Sequence, residues 1–317
     1  MKGTNDMPSL PAQAFVSVVI PHRGDDRFLL RCLEALRNQT YPSHLYEVLV
    51  VLNEPERSYL EFELQEGEFP LWEPRYFSYN ARDRGIEASG GDVIAFTDSD
   101  TVPHPDWLSQ GTLAMARSGS DLIAGHISVT TSTKRPSPPE LYDLLYAFDQ
   151  EKNVTGGYSA TANFFAKRHI FADLGLFEET AITGEDFEWT RSAVEAGSTL
   201  IYSADAIVEH PARDTWSALF AKARRTTLPY VDIAEPGSSQ GNHLRERVSF
   251  QLSATPSPGK ASALSQSQRS VARLVRLLLL AYKALCLLRL PPTFQKDLRV
   301  MQERQSAAAP ELEGAKT

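Results

Sequence analysis

The sequence predicts an α/β fold with a parallel β-sheet that helices cover on both faces. Strand-like and helix-like segments alternate through the N-terminal third of the chain, and such alternation places successive strands parallel to one another. The strand-like segments are also continuously apolar, as in strands that are buried on both faces. A ligand of such a sheet is expected beyond the carboxyl ends of its strands.

The N-terminal elements follow from apolar runs and the residues that bound them. "FVSVVIPH" is predicted to be the first strand, "YEVLVVLN" the second, "RYFSYN" the third and "DVIAFT" the fourth. The segment "DDRFLLRCLEALR" repeats leucine at helical spacing, with Asp25 or Asp26 as its N-cap and Pro42 beyond its end. "ARDRGIEASGG" is predicted to be the helix that precedes the fourth strand.

The pattern is less regular beyond Trp107. Helices are predicted in "HPDWLSQGTLAMARSG", "PELYDLLYAFDQ" and "EDFEWTRSAVEAG", and strands in "DLIAGHISV" and at the end of "TLIYSADAIVEHP". "ATANFFAKRHIFADLG" reads as a strand leading into a helix. The composition then changes to Ser, Pro, Gly and Gln, which is typical of a linker. The predicted organisation is a flexible N-terminus, a main domain, a linker or loose loop, a basic helical extension and a flexible tail, at residues 1–14, 15–235, 236–270, 271–304 and 305–317.

Composition and charge exclude several classes of protein. The net charge of -8 argues against nucleic acid as a partner. The chain has only two cysteines, Cys32 and Cys286, so no disulfide framework is indicated, which suits a reducing cytoplasm. The N-terminal residues lack the apolar segment of a secretory signal, and a cytoplasmic location is therefore expected.

The fourth predicted strand runs directly into two carboxylates, Asp98 and Asp100. Alternate residues of an extended segment point the same way, so both side chains can face one ligand. Carboxylates suit Mg²⁺ or Mn²⁺, and a metal held in this way can clamp a diphosphate leaving group. The alternative is a solvated turn that is rich in acidic residues.

Three motifs in order carry a resemblance to a known family. "VSVVIPHRGDDRFLLRCLEALRNQTYP", "ARDRGIEASGGDVIAFTDSDTVPHPDWL" and "TANFFAKRHIFADLGLFEETAITGEDFEWTRSAVEAG" together resemble the family 2 glycosyltransferases of GT-A fold, over roughly residues 15–215. The resemblance implies a Rossmann-like nucleotide-diphospho-sugar transferase domain at 15–235. It implies a D-x-D pair on metal and donor diphosphate, and a donor site that comprises Pro21, Arg23, Asn53, Arg82, Asp98 and Asp100.

The "GED" motif supplies the expected catalytic groups. By resemblance, Asp186 is the general base that takes the proton of the acceptor hydroxyl, and Glu185 lies next to it. A base placed opposite the leaving diphosphate gives single displacement, which inverts the anomeric centre. The alternative role is structural, because Thr183 could cap a helix whose first turn favours acidic residues.

Three further residues are assigned to the site. Trp189 lies three residues beyond Asp186 and could stack on an acceptor ring, or it could be a core aromatic. Asn163 is expected to line the acceptor site. By resemblance His210 lies near the metal or the diphosphate, although a lone histidine often has a structural role.

Two positions depart from the family's pattern. Leu52 and Asn53 stand where many relatives carry acidic residues that contact the base and ribose of the donor. Since Leu52 cannot accept a hydrogen bond from the base, this position gives no support for a uridine donor. Asp83 stands where an asparagine is common.

The C-terminal part has a charge of its own. Residues 260–304 hold nine basic and two acidic side chains. The segment 271–290 is rich in leucine, but basic residues interrupt it too often for a membrane-spanning helix. It is predicted to lie in a membrane interface with its basic side chains toward anionic headgroups. The alternative is a helix packed on the main domain or on a second subunit.

These observations predict an inverting glycosyltransferase that depends on Mn²⁺ or Mg²⁺. It would move sugar from a nucleotide-sugar donor to a carbohydrate or lipid-linked acceptor, in envelope polysaccharide or glycolipid assembly. Its expected place is the inner face of the cell membrane, as a peripheral protein. One alternative is a non-catalytic membrane-associated protein on a degenerate transferase scaffold. Another is a nucleotidyltransferase, although the first strand-helix turn lacks the Gly-rich loop of that class.

Overall fold

The computed structural model describes residues 14–75, 77–177, 184–227, 255–256, 258–288 and 293–295. Eight strands form one sheet: β1 Val16–His22, β2 Tyr46–Leu52, β3 Glu68–Trp72, β4 Val93–Thr97, β5 Val102–Pro103, β6 Leu122–Thr130, β7 Asn163–Lys167 and β8 Leu200–Pro211. The helices are α1 Asp26–Arg37, α2 Ser78–Ala88, α3 Trp107–Ser118, α4 Pro138–Tyr146, α5 Gln150–Thr155, α6 Arg168–Leu174, α7 Glu185–Glu195, α8 Trp216–Arg225, α9 Pro258–Ser262 and α10 Gln266–Leu287.

The sheet is mixed rather than wholly parallel. Its strand order is β3-β2-β1-β4-β7-β6-β8-β5. The first four strands are parallel, with β1 between β2 and β4, which confirms the prediction for the N-terminal half. β7 pairs antiparallel with both β4 and β6, and β5 pairs antiparallel with β8. The prediction of parallel strands concerned the first hundred residues. Strands and helices still alternate after β4, but β5 and β7 run antiparallel to their neighbours there.

The third strand lies earlier in the chain than predicted. It spans Glu68–Trp72, and the segment expected to form it instead leads into α2, which begins at Ser78. β3 is one of the two edge strands of the sheet, it is largely exposed, and it contains Pro70. Proline is tolerated at an edge because that strand need not donate on its outer side. An exposed strand with a proline lacks the apolar run that marks the buried strands.

Helix α2 packs unusually close to the sheet. It contacts β1, β2 and β3, and a Cβ atom at Gly85 would lie 2.3 Å from Cγ1 of the buried Val19. Glycine therefore permits this approach. Because α2 follows β3 directly, its first turn lies near the carboxyl ends of the parallel strands. Tyr79 and Arg82 lie in this part of α2.

A cluster of aromatic side chains fills the core beside this sheet. Phe171 stacks on Trp189 with ring centroids 4.4 Å apart, and Phe96 contacts Phe164, Phe171 and Phe177. All five rings are buried. Their burial couples α6 and α7 to the centre of the sheet.

The described residues fall into two compact units. One draws on Met1–Ser128, Gln150–Glu178 and Asp186–His210, and the other on Val129–Asp149, Glu179–Glu185 and Pro211–Thr317. The second unit contains α4, α8, α9 and α10. Within it, Val275 and Leu279 of α10 pack with Leu219 and Ala223 of α8, and Ala272 packs with α4. A capping box formed by Ser265 and Gln268 starts α10.

The basic side chains of α10 do not form the solvent-facing row that the sequence indicates. The Arg276 guanidinium lies over the Tyr146 ring, 4.9 Å from its centroid. Arg269 Nη1 donates to the Ala261 carbonyl, and burial lowers the pKa of Lys283. The outward side is instead mainly apolar, with exposed Leu274, Leu277, Leu278, Leu285, Leu287 and Leu288. Among the described residues, no helix is both long and apolar enough to cross a bilayer.

Candidate active site

Asp98 and Asp100 occupy a tight turn at the carboxyl end of β4. Buried Thr97 and Thr101 share a hydrogen bond of 2.6 Å between their hydroxyl oxygens, and Thr101 Oγ1 donates to the Asp98 carbonyl at 2.8 Å. The threonines thus hold the backbone of the turn from below. Both carboxylates remain partly exposed above it.

A histidine from a distant part of the chain completes this acidic group. β5 follows the turn at once and pairs with β8, with Val102 opposite Glu209. That register brings the next residue, His210, to 3.6 Å from the Asp100 carboxylate, measured from Nε2 to Oδ1. Ligand atoms of Asp98, Asp100 and His210 all lie within 4.8 Å of one another.

The donor set of this cluster fits a divalent cation. Two carboxylates and one imidazole suit Mn²⁺, and carboxylates suit Mg²⁺. The buried Cys32 thiol lies beneath, with Sγ 3.8 Å from the Asp98 carbonyl oxygen. Burial raises the pKa of Cys32 to about 12, and the charges of Asp100 and Asp98 add to the effect. Without a bound metal, Cys32 is therefore a neutral thiol.

Arg82 links the carboxylate pair to α2. Its guanidinium donates to Asp98 at 2.6 Å from Nη2 to Oδ1, and the residue is only 4% exposed. The Cζ atom lies 5.4 Å from the centroid of the Tyr79 ring, which is a cation–π contact. Tyr79 and Arg82 are three residues apart on α2 and therefore share one face of the helix.

Tyr79 also contacts the predicted base. Its hydroxyl donates to Asp186 at 3.2 Å, and the backbone N–H of Thr161 donates to the other carboxylate oxygen at 3.3 Å. Asp186 lies in the first turn of α7, just after Gly184, whose φ of 82° suits glycine. A continuous series of contacts thus runs from Asp98 through Arg82 and Tyr79 to Asp186. Glu185 starts α7 and is buried.

Both predicted acceptor residues, Trp189 and Asn163, are buried. Trp189 is 5% exposed, its ring packs in the aromatic core, and its Nε1 donates to the Gly175 carbonyl. This burial favours the core alternative, and a role in acceptor binding stays a prediction. Asn163 is fully buried: its Oδ1 accepts from Trp107 Nε1, and its Nδ2 donates to the carbonyls of His126 and Ala206.

The predicted donor residues Pro21, Arg23 and Asn53 lie at the ends of β1 and β2. Pro21 is part of β1, where it pairs with β2 beyond the last residue paired with β4. Asn53 is buried and its amide nitrogen donates to the carbonyls of Glu73 and Arg75, so this side chain ties β2 to β3. Arg23 remains partly exposed beside a pocket.

This pocket opens between the loops that follow β1 and β2, and has a volume of about 720 Å³. It is lined by residues 22–27 and by Leu52 with residues 54–61. One charged pair lies at the start of α1, where Asp25 accepts hydrogen bonds from Arg27. These bonds lower the pKa of Asp25 to about 2. The pair Arg23–Glu54, with Nε and Oε2 3.6 Å apart, spans the two loops.

Tyr79 is the residue that sequence reasoning missed. The predicted third strand covered Tyr79 and so hid its helical spacing from Arg82. With α2 beginning at Ser78, the spacing of three residues becomes visible. The Thr161 backbone donor could not be found from side-chain patterns at all.

Comparison with known proteins decides the family. The model of the family described as "Glycosyl transferase family 2" matches residues 17–175, which is half of the chain. The chain belongs to glycosyl transferase family 2. It is therefore a glycosyltransferase, and the alternatives of a non-catalytic protein and a nucleotidyltransferase are not retained.

Two glycosyltransferases of known name align with 63% of this chain. Glycosyltransferase AglE of Haloferax volcanii is 34% identical over 206 residues, which cover 63% of this chain and 67% of AglE. A Methanococcus voltae enzyme, named dolichyl N-acetyl-alpha-D-glucosaminyl phosphate 3-beta-D-2,3-diacetamido-2,3-dideoxy-beta-D-glucuronosyltransferase, is 23% identical over 63% of this chain and 68% of its own length.

Structural comparison supports the GT-A fold of this transferase. A solved structure of the mannosyltransferase PcManGT from Pyrobaculum calidifontis, in complex with GDP-Man and Mn²⁺, superposes with a TM-score of 0.52. The superposition covers 98% of this chain and 91% of that one, at 15% identity.

The structural role of Asn163 can be tested by stability. Asn163→Ala leaves a buried indole N–H and two buried carbonyls without this partner, so the free energy of unfolding should fall by about 3 kcal/mol or more. Urea denaturation followed by tryptophan fluorescence measures it. Asn38→Ala, which removes an exposed bond to the Glu34 carbonyl, is the control and should cost less than about 1 kcal/mol. Unchanged stability with impaired transfer would return Asn163 to the acceptor site.

Proposed function

We propose that this glycosyltransferase is metal-dependent and inverting, and that it transfers sugar from a nucleotide-sugar donor to an acceptor hydroxyl. The observation that carries the proposal is the connected series from the Asp98, Asp100 and His210 cluster through Arg82 and Tyr79 to Asp186. It joins groups suited to a leaving diphosphate with a carboxylate suited to proton abstraction.

The donor diphosphate is assigned to the carboxylate cluster and Arg82. Asp98, Asp100 and His210 would hold Mn²⁺ or Mg²⁺, which when bound would neutralise negative charge on the leaving diphosphate. Arg82 is nearly buried, and its guanidinium adds a fixed positive group to the same place. The name of PcManGT, which binds GDP-Man and Mn²⁺, agrees with this assignment.

Asp186 is assigned as the general base. A carboxylate offers about four lone-pair sites. Oδ1 accepts from Tyr79 and from the Phe187 N–H, while Oδ2 accepts from the Thr161 N–H. Oδ2 therefore keeps capacity to accept the proton of an acceptor hydroxyl. Attack by that hydroxyl from the side opposite the diphosphate would invert the anomeric centre.

The acceptor is proposed to be a carbohydrate or a lipid-linked sugar in envelope polysaccharide or glycolipid assembly. The name of the Methanococcus voltae relative describes a dolichyl-linked acceptor, which supports this class. Such an acceptor is presented at a membrane surface, so we place the enzyme at the inner, cytoplasmic face of the membrane.

Helix α10 is the segment proposed to contact that surface. Five outward leucines of α10 and Leu288, which follows it, are between 44% and 67% exposed, which is unfavourable in water. The helix contains no acidic residue, and Arg273 lies exposed beside the leucines. This arrangement suits an anionic lipid surface, with the leucines supplying most of the attachment and the arginine a smaller electrostatic part.

The metal assignment predicts a loss of metal-dependent binding. Mn²⁺ should strengthen nucleoside diphosphate binding by the wild-type protein, and Asp100→Asn should remove that enhancement while the protein stays folded. Thermal stabilisation by GDP and UDP, with and without Mn²⁺, reports the affinity. Asp106→Asn, at the exposed start of α3, is the matched control and should behave as wild type. Enhancement that survives in Asp100→Asn would contradict the assignment.

The base assignment predicts a loss of chemistry without a loss of donor binding. Asp186→Asn should lower transfer by about 10² or more. Tyr79→Phe should lower it by about tenfold, the scale of one hydrogen bond to a charged group. Release of nucleoside diphosphate in the presence of acceptor-bearing membranes measures transfer. Tyr46→Phe, which loses only a bond to the Leu36 carbonyl, is the control. Transfer by Asp186→Asn within a few-fold of wild type would show that the base lies elsewhere.

The membrane assignment predicts binding that depends on leucine. The protein should sediment with vesicles that contain anionic lipid, and high salt should weaken the attachment only in part because apolar contact is not screened. Leu277→Gln combined with Leu278→Gln should abolish sedimentation. Leu113→Gln combined with Leu174→Gln, at similarly exposed leucines of α3 and α6, should not. Equal sedimentation of both double variants would exclude α10 as the contact.

A further inference from the structure

The pocket at the ends of β1 and β2 lies along the sheet from the proposed diphosphate site. β4, β1 and β2 are consecutive neighbours in the sheet and all three are parallel. Their carboxyl ends therefore line up on one edge. The end of β2 is two strand spacings, about 10 Å, from the end of β4. A nucleoside attached to a diphosphate at Asp98 and Asp100 has the reach to enter this pocket.

The walls of the pocket suit a flat heterocycle. Leu52 provides an apolar surface at the end of β2. Tyr59 lies in the loop beyond it and is 81% exposed, so its ring is available for stacking. Aromatic stacking on a base is tolerant of the base's identity. The choice of base must therefore come from polar groups.

Several polar groups of the pocket are paired with one another, both within one segment and between the two loops. Asp25 holds the Arg27 guanidinium through both carboxylate oxygens. Asp26 accepts from the Glu61 N–H and contacts His22 Nε2 at 2.9 Å. Arg23 and Glu54 also come from different loops, and both of their charged side chains are partly exposed. They present a donor and an acceptor side by side in the pocket.

Glu54 is held in place by its neighbours. The Trp72 indole N–H donates to the Glu54 carbonyl at 2.9 Å. The preceding residue, Asn53, is buried and fastened to the carbonyls of Glu73 and Arg75. The backbone of Glu54 is thus held beside the end of β3, which limits the positions that its side chain can reach.

We propose that Arg23 and Glu54 recognise guanine, so that the sugar donor is a guanosine diphosphate sugar. The inference rests on the proposed function, because it concerns the donor of that reaction. Guanine presents in order one acceptor, O6, and two donors, N1–H and N2–H. Arg23 can donate to O6, while the two oxygens of Glu54 can accept from N1–H and N2–H.

Other bases fit the same pair less well. Uracil offers O4 to Arg23 and N3–H to Glu54, but its O2 then faces the second carboxylate oxygen, and two acceptors repel. Adenine has no donor at its C2 position and presents its donor and acceptor in the reverse order. The discriminating group is therefore the guanine 2-amino group, which the carboxylate of Glu54 would bind.

The test compares GDP with inosine, xanthosine, uridine and adenosine diphosphates in the presence of Mn²⁺, by calorimetry on the full chain. Inosine lacks the 2-amino group, and xanthosine carries an oxygen in its place. Wild type should bind GDP about tenfold or more tightly than the inosine nucleotide, the scale of one hydrogen bond to a charged group. It should bind the xanthosine and uridine nucleotides more weakly still.

Replacement of Glu54 should change the relative affinities for the guanosine, inosine and xanthosine diphosphates. In Glu54→Gln the amide can donate to the xanthine oxygen, so xanthosine diphosphate should gain affinity while the GDP to inosine ratio falls toward one. Glu56→Gln, another acid of the same pocket, is the matched control and should leave both ratios unchanged. Tyr59→Ala should weaken every nucleotide by a similar factor.

The outcomes separate the two proposals. Tighter binding of UDP than GDP by the wild type, or an unchanged GDP to inosine ratio in Glu54→Gln, would overturn guanine recognition and leave the transferase proposal intact. A GDP to inosine affinity ratio that changes only in Glu56→Gln would show that Glu56 recognises the base, and would refute the role of Glu54. Absence of binding by any of the nucleotides, with or without Mn²⁺, would instead contradict the proposed donor site.

Discussion

The arrangement of the site depends on one nearly buried positive charge. Removing a guanidinium from water is costly unless an anion accompanies it. Arg82 meets this requirement through Asp98, and the glycine that lets α2 approach β1 brings the two together. The need to neutralise Arg82 orients one carboxylate of the D-x-D pair. It also leaves Asp100 as the most accessible member of the cluster, with a side chain that is 43% exposed.

Helix α2 sets the spacing between the two halves of the site. Tyr79 and Arg82 lie one turn apart, so the distance from Asp98 to Asp186 is fixed by the pitch of a helix rather than by flexible loops. Groups on a regular element are held more precisely than groups on a loop. The same helix therefore positions both the donor-side carboxylate and the proposed base.

Local sequence allowed some of these features to be predicted. Asp98 and Asp100 adjoin an apolar strand and Asp186 a helix start, so short patterns reveal them. Burial of Trp189 and Asn163 depends on which distant segments pack above them, and no local pattern carries that information. The edge strand β3 was misplaced because exposure and Pro70 remove the apolar run. The predicted third strand also included Tyr79, so the helical spacing between Tyr79 and Arg82 was not recognised.

The two-residue strand β5 has a consequence for how the site assembles. Asp98 and Asp100 adjoin β4, but His210 comes from more than a hundred residues further along the chain and arrives only when β8 pairs with β5. Closing so long a loop is slow and entropically costly. A chain still emerging during synthesis therefore holds the two aspartates without the histidine. The three candidate metal ligands would therefore come together only after nearly the whole transferase domain has been synthesised.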